Sequence, residues 1–155
     1  LGLVPEASDG HPIPGNVGAD REARLDRFHR PYHTALAAWL TASEPALILS
    51  LHSFTPRLAS RDEPRPWQIG VLYNQDDRAA RIAIPLLAAE GLHVGDNLPY
   101  SGRDLNYTMN RHAEGAGRAY LGVELRQDLV QTPADHARWA SLLANIAERV
   151  ASALT

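Results

Sequence analysis

The sequence contains no cysteine and no lysine. Without cysteine there is no disulfide framework, no thiolate metal site and no cysteine nucleophile. Without lysine, Schiff-base chemistry and a lysine general base are excluded. All 15 basic residues are arginine, which together with abundant alanine fits a high-GC coding sequence. No apolar run is long enough to cross a membrane. The start has neither the charged n-region nor the apolar h-region of a signal peptide. A net charge of −3 gives no reason to expect nucleic acid or an anionic membrane as a partner. Gly-x-Gly-x-x-Gly, Walker and Gly-x-Ser-x-Gly patterns are missing too, so neither a phosphate loop nor a nucleophile elbow is indicated.

What is present is ordinary globular usage. The 155 residues are 45% hydrophobic and 21% charged, enough to bury a core. Residues 1–19 are rich in Gly and Pro and read as a loop-rich leading segment. Asp20 is placed to cap a helix over 21–42, with Leu25, Phe28, Tyr32, Leu36, Trp39 and Leu40 as its apolar stripe. Pro31 should kink or split that helix, and Glu44-Pro45 should end it. The run Ala46–Leu51 reads as a strand buried on both faces. A second strand is expected over 67–73. A helix follows from Asp76 or Asp77 to Glu90, closed by Gly91. A minimal strand over 92–94 leads into a loop over 95–102, a short helix over 106–114 and a strand over 120–125. Thr132, Pro133 and Asp135 have the spacing of a helix start with a capping interaction. Trp139, Leu142, Leu143, Ile146 and Val150 form the buried stripe of that last helix. The alternation predicts an α/β layered fold with a mixed sheet.

In open α/β sheets, ligands bind beyond the carboxyl ends of strands. His52 follows the first strand run, where a neutral imidazole could ligate a metal or simply hydrogen-bond at a strand end. Glu124 lies within Gly122-Val123-Glu124-Leu125-Arg126, and alternation puts Glu124 and Arg126 on one face. That pair reads either as a charge pair on a half-exposed strand or as a general base in a cleft. His29 and His33, four apart on a helix, could be two metal ligands, but no glutamate sits between them in the His-Glu-x-x-His pattern, and a solvated helix face is the favoured reading. His112 sits near loop glycines. His11, His93 and His136 read as surface residues.

Several longer stretches go further. Pro5-Glu6-Ala7-Ser8-Asp9-Gly10 with Ile13-Pro14-Gly15-Asn16, Phe28-His29-Arg30-Pro31-Tyr32-His33 and Leu51-His52-Ser53-Phe54-Thr55-Pro56 resemble the N-formylglutamate amidohydrolase family. So do residues 65–74 (Arg65-Pro66-Trp67 through Tyr73-Asn74), residues 94–102 (Val94-Gly95-Asp96-Asn97 through Ser101-Gly102), Tyr107-Thr108 with Arg111-His112, and residues 124–129. The matches run in order along nearly the whole chain. The resemblance implies a three-layer α/β/α fold with a mixed central sheet, of the phosphorylase/hydrolase type shared with zinc-dependent exopeptidases. It implies His52 as a zinc ligand and Glu124 as the general base. The implied cofactor is Zn2+, and the implied reaction is hydrolysis of N-formyl-L-glutamate to formate and glutamate. The partner is then a small-molecule N-acyl amino acid in the cytoplasm, with no nucleic acid and no membrane. Carboxylates on such a substrate call for arginine. Arg126 and Arg103 are candidates, with Asn97, Tyr100, Ser101, Tyr107 and His112 as polar lining; charge pairing and turn formation are the competing roles. The family's first zinc histidine and its acidic partner have no counterpart here. Residues 1–155 are therefore expected to be the C-terminal part of one hydrolytic domain, incomplete at the N-terminus, with some apolar sheet surface uncovered. Hydrolysis of another N-acyl amino acid or a peptide, and a non-catalytic binding or scaffold role, are the alternatives.

Overall fold

The computed structural model describes residues 2–155. Two units are resolved by their internal contacts: residues up to Pro45 with Leu58–Glu63, and Ala46–Arg57 with Pro64–Thr155.

The first unit begins with a hairpin of β1 (Ala7–Ser8) and β2 (His11–Pro12). Asp9 at its turn accepts the backbone N–H groups of Ala59 and Ser60 and the Ser60 hydroxyl. These bonds favour the ionised carboxylate and pull its pKa to about 2. Asp20 caps α1 (Arg21–Arg24) by accepting from Ala23 N–H. A π-helical turn, Leu25–His29, then leads into α2 (Arg30–Ser43). Pro31 sits in the first turn of α2, where a missing N–H costs little. The widened turn thus passes a proline through an otherwise continuous helical segment. Glu44 closes α2 with φ of 41°.

The expected apolar stripe of this segment is only half correct. Leu25 and Leu40 are buried, but Phe28, Tyr32 and Trp39 are more than half exposed. The buried line passes instead through His33, which is 4% exposed. Its ring stands edge-on to that of His29, with centroids 4.3 Å apart. His33 is therefore not part of a solvated face.

The second unit holds the sheet. Its strands are β3 (Ile48–Phe54), β6 (Ile69–Leu72), β7 (Val94–Asp96) and β8 (Tyr120–Arg126). Between β3 and β6, β4 (Arg57–Leu58) and β5 (Glu63–Pro64) pair as a short separate ladder. The sheet order is β3-β8-β6-β7. β3 runs parallel to β8 and β6 parallel to β7, while β6 and β8 are antiparallel. This is a mixed sheet, as the element order predicts.

One face of the sheet packs on α3 (Arg78–Ala89) and α5 (Pro133–Leu154). Ile69, Val71, Leu121, Val123 and Leu125 meet Ala83, Leu87, Trp139, Leu143 and Ile146 there. Each fully buried aliphatic chain contributes roughly 1.5–3 kcal/mol. Small alanines on α3 allow close approach to the strands. Thr132 and Asp135 form the reciprocal capping box at the start of α5. The other face carries the short α4 (Tyr107–His112), whose Met109 joins Ala113 and Tyr120 in a second cluster.

Two strands differ from expectation. The minimal strand lies at Val94–Asp96 rather than over 92–94. β3 is not buried on both faces: it is the edge of the sheet, with Leu49 39% and Leu51 52% exposed. A continuous apolar run can signal a central strand, but strand order, not composition, decides what covers it.

Candidate active site

The site lies at the carboxyl end of the parallel pair β3 and β8. Register puts His52 directly beside Glu124. The row continues from Glu124 to Gly70 on β6 and from Gly70 to Gly95 on β7. One line across one sheet face therefore reads histidine, glutamate, glycine, glycine. The glycines are required by what crosses above them. A β-carbon added to either Gly70 or Gly95 would stand 2.3 Å from the Leu98 carbonyl oxygen. The loop between β7 and α4, with its cis Leu98-Pro99 bond, lies over the row beside Glu124 and forms a wall of the site.

Glu124 is 9% exposed. Its Oε2 is buried with no hydrogen-bond partner among the described residues. Burial raises its pKa to about 7, against an opposing attraction from Arg65. A carboxyl poised near neutrality can take a proton from water and return it. An unsatisfied buried carboxylate oxygen also costs stability, a pattern common where a group is kept for chemistry.

Arg65 opens the Arg65-Pro66-Trp67 stretch that leads into β6. It is 6% exposed. Its Nη1 donates to the Tyr100 hydroxyl at 2.9 Å, with longer contacts to the Thr55 hydroxyl and carbonyl. Its guanidinium carbon stands 4.9 Å from the Tyr100 ring centre and 5.9 Å from that of Phe54. Nothing in sequence spacing separates this arginine from the other 14; burial does.

Of the expected residues, the structure places Tyr100 and Glu124 beside Arg65 and His52 beside Glu124. The other expected residues are placed as follows. Arg126 shares the Glu124 face but donates to Asp128 and to the carbonyl oxygens of Pro66 and Arg65. The Asn97 side-chain oxygen accepts from the N–H groups of Tyr73 and Gly102, shaping the loop. The Ser101 hydroxyl accepts from Arg103 N–H within the same turn. Arg103 is exposed. Tyr107 is 53% exposed and accepts from Arg111. His112 is buried at the end of α4, and burial with nearby Arg111 and Arg118 lowers its pKa. A separate cleft of about 560 Å³ opens on the α5 side of the same strand end, lined in part by Leu51, His52, His136 and Trp139.

The sequence model of the N-formylglutamate amidohydrolase family matches residues 1–131. The chain belongs to this family. Among solved structures, a gene product of Agrobacterium tumefaciens is similar at 28% identity and a TM-score of 0.83, over 97% of this chain and 62% of its own. An N-formylglutamate amidohydrolase from Ralstonia eutropha is 21% identical with a TM-score of 0.55, over 86% of this chain and 52% of its own. That second likeness bears on the fold alone. The chain thus spans about three-fifths and one-half of these two proteins. No curated protein matches it significantly.

A catalytic zinc ordinarily has three protein ligands and one open position. His52, exposed at its strand end, supplies one donor of the right kind. Among the described residues, no three His, Cys, Asp or Glu converge to hold a metal. The described residues of this N-formylglutamate amidohydrolase family member therefore do not close a zinc site by themselves.

Proposed function

We propose that this chain carries the general-base part of an amidohydrolase that cleaves N-formyl-L-glutamate to formate and L-glutamate. The observation that carries the reading is a buried carboxyl, Glu124, with an unpartnered oxygen and His52 directly beside it at the carboxyl end of a parallel strand pair, in a chain of this family. Glu124 takes a proton from the attacking water. The water oxygen bonds to the formyl carbon, and the proton passes to the nitrogen as the C–N bond breaks. The reading includes zinc dependence, with His52 as one ligand. Zinc, when bound, would polarise the scissile carbonyl and acidify water.

The test is formate release from N-formyl-L-glutamate by the full-length gene product, with and without a chelator. Turnover that the chelator abolishes and added zinc restores supports the proposal. Turnover indifferent to the chelator overturns zinc dependence. A higher kcat/KM for a different N-acyl amino acid overturns the substrate. Absence of any hydrolysis overturns the amidohydrolase reading.

A further inference from the structure

Tyr100 lies in the loop that walls the row beside Glu124, and its environment is unusual. The loop that holds it is pressed on Gly70 and Gly95, the two residues that continue the His52–Glu124 row. The ring is stacked by the Arg65 guanidinium, which is itself buried. The phenolic oxygen accepts an N–H from the same guanidinium. An oxygen that accepts in this way turns its own hydrogen elsewhere, and no acceptor for it exists among the described residues. A cationic donor on a phenol also makes its O–H a stronger donor, because polarisation adds along a hydrogen-bond chain.

We propose that Arg65 is a positioning residue that acts through Tyr100, aiming the phenol O–H at an oxygen of the bound N-acyl amino acid. Two oxygens on that substrate class qualify: the acyl oxygen, which gains negative charge during hydrolysis, and the carboxylate. Both are hydrogen-bond acceptors whose negative charge suits a neutral donor backed by a cation. Arg65 itself stays behind the ring, wedged between Tyr100 and Phe54 and bonded to Thr55. The pair supplies positive potential without placing a mobile charge against the substrate. This inference rests on the amidohydrolase reading above.

A double-mutant cycle on the full-length protein tests it. The variants are Tyr100→Phe, Arg65→Met and both together. N-formyl-L-glutamate is the substrate, and wild-type turnover is established first. No wild-type turnover defeats the amidohydrolase reading and is recorded separately from the outcomes below. Tyr100→Phe removes one oxygen and keeps the ring. It should lower kcat/KM by about 10–1,000-fold, the upper decade being the loss seen when one donor to a developing charge is removed. A fall in kcat at constant KM assigns the acyl oxygen; a rise in KM at constant kcat assigns the carboxylate. Arg65→Met should produce a fall of similar size on the same parameter. The double variant should be no worse than the more severe single one, because both changes remove the same donor. Arg65→Lys, which retains the charge, should recover part of the loss. Unchanged kinetics in Tyr100→Phe would overturn the proposal, and so would multiplicative losses in the double variant. If Arg65→Met does not fold, Tyr100→Phe and Arg65→Lys still decide it: a normal Tyr100→Phe enzyme sinks the idea.

Discussion

His52 and Glu124 are direct partners across the parallel β3–β8 ladder, on the same sheet face. An imidazole and a buried carboxyl are thus fixed at one strand spacing, with neither placed by a flexible loop. Their spacing depends on backbone register, so it is insensitive to side-chain changes elsewhere on the surface.

On the proposed mechanism, replacing Glu124 with glutamine keeps the shape and removes the base. Hydrolytic turnover should fall by about 10²–10⁴-fold while the protein folds and retains substrate affinity. Steady-state kinetics beside binding calorimetry check this. Full turnover in that variant would remove Glu124 from the mechanism.

The same carboxyl predicts a pH dependence of stability. Burial raises its pKa in the folded chain to about 7 from the 4.5 of an exposed glutamate. Between those values the folded state binds more protons than the unfolded one, so this group's contribution falls as pH rises and levels off above about 7. The swing is up to about 3 kcal/mol at roughly 1.4 kcal/mol per unit. Urea midpoints of metal-free protein at pH 5 and pH 8 measure it. Glu124→Gln should flatten that part of the profile.

The proposed zinc dependence makes a prediction that distinguishes His52 from the His29–His33 pair. His52→Ala should lower bound zinc per full-length chain, and His29→Ala should leave it unchanged. Elemental analysis after dialysis at limiting zinc gives the answer. The opposite pattern would move the metal to the helix.

The glycine floor makes a packing prediction. Gly70→Ala or Gly95→Ala forces a methyl into the Leu98 carbonyl and should destabilise the fold by about 1–3 kcal/mol. The loop carrying Tyr100 must then shift, so activity should fall further than stability alone explains. Thermal melts and kinetics on the same samples separate the two effects. Thr132→Ala serves as the control: it removes a helix cap, costs about 1 kcal/mol and should leave kcat/KM intact.

Much of the fold is legible along the chain because it is encoded locally. Asp20, Thr132 and Asp135 announce helix starts through capping chemistry, and Gly91 and Gly117 adopt positive φ where helices end. The eight main elements follow in the predicted order. Errors arise where the deciding partner is distant in sequence. Phe28, Tyr32 and Trp39 have helical spacing, yet the buried line runs through His33. Spacing shows which residues share a face and leaves open which face is covered.

The candidate site divides in the same way. Residue types and motif order alone singled out His52 and Glu124, because an acid and an imidazole at strand ends are chemically conspicuous. Only the tertiary structure made them neighbours, since parallel pairing of β3 with β8 depends on sheet order. It also decided that Arg126 and Asn97 hold the scaffold, and that Arg65, one arginine among 15, is the buried one beside Glu124 and Tyr100. Burial and hydrogen bonding are properties of the folded surroundings, so the role of each polar side chain became readable only when the chain had closed around it.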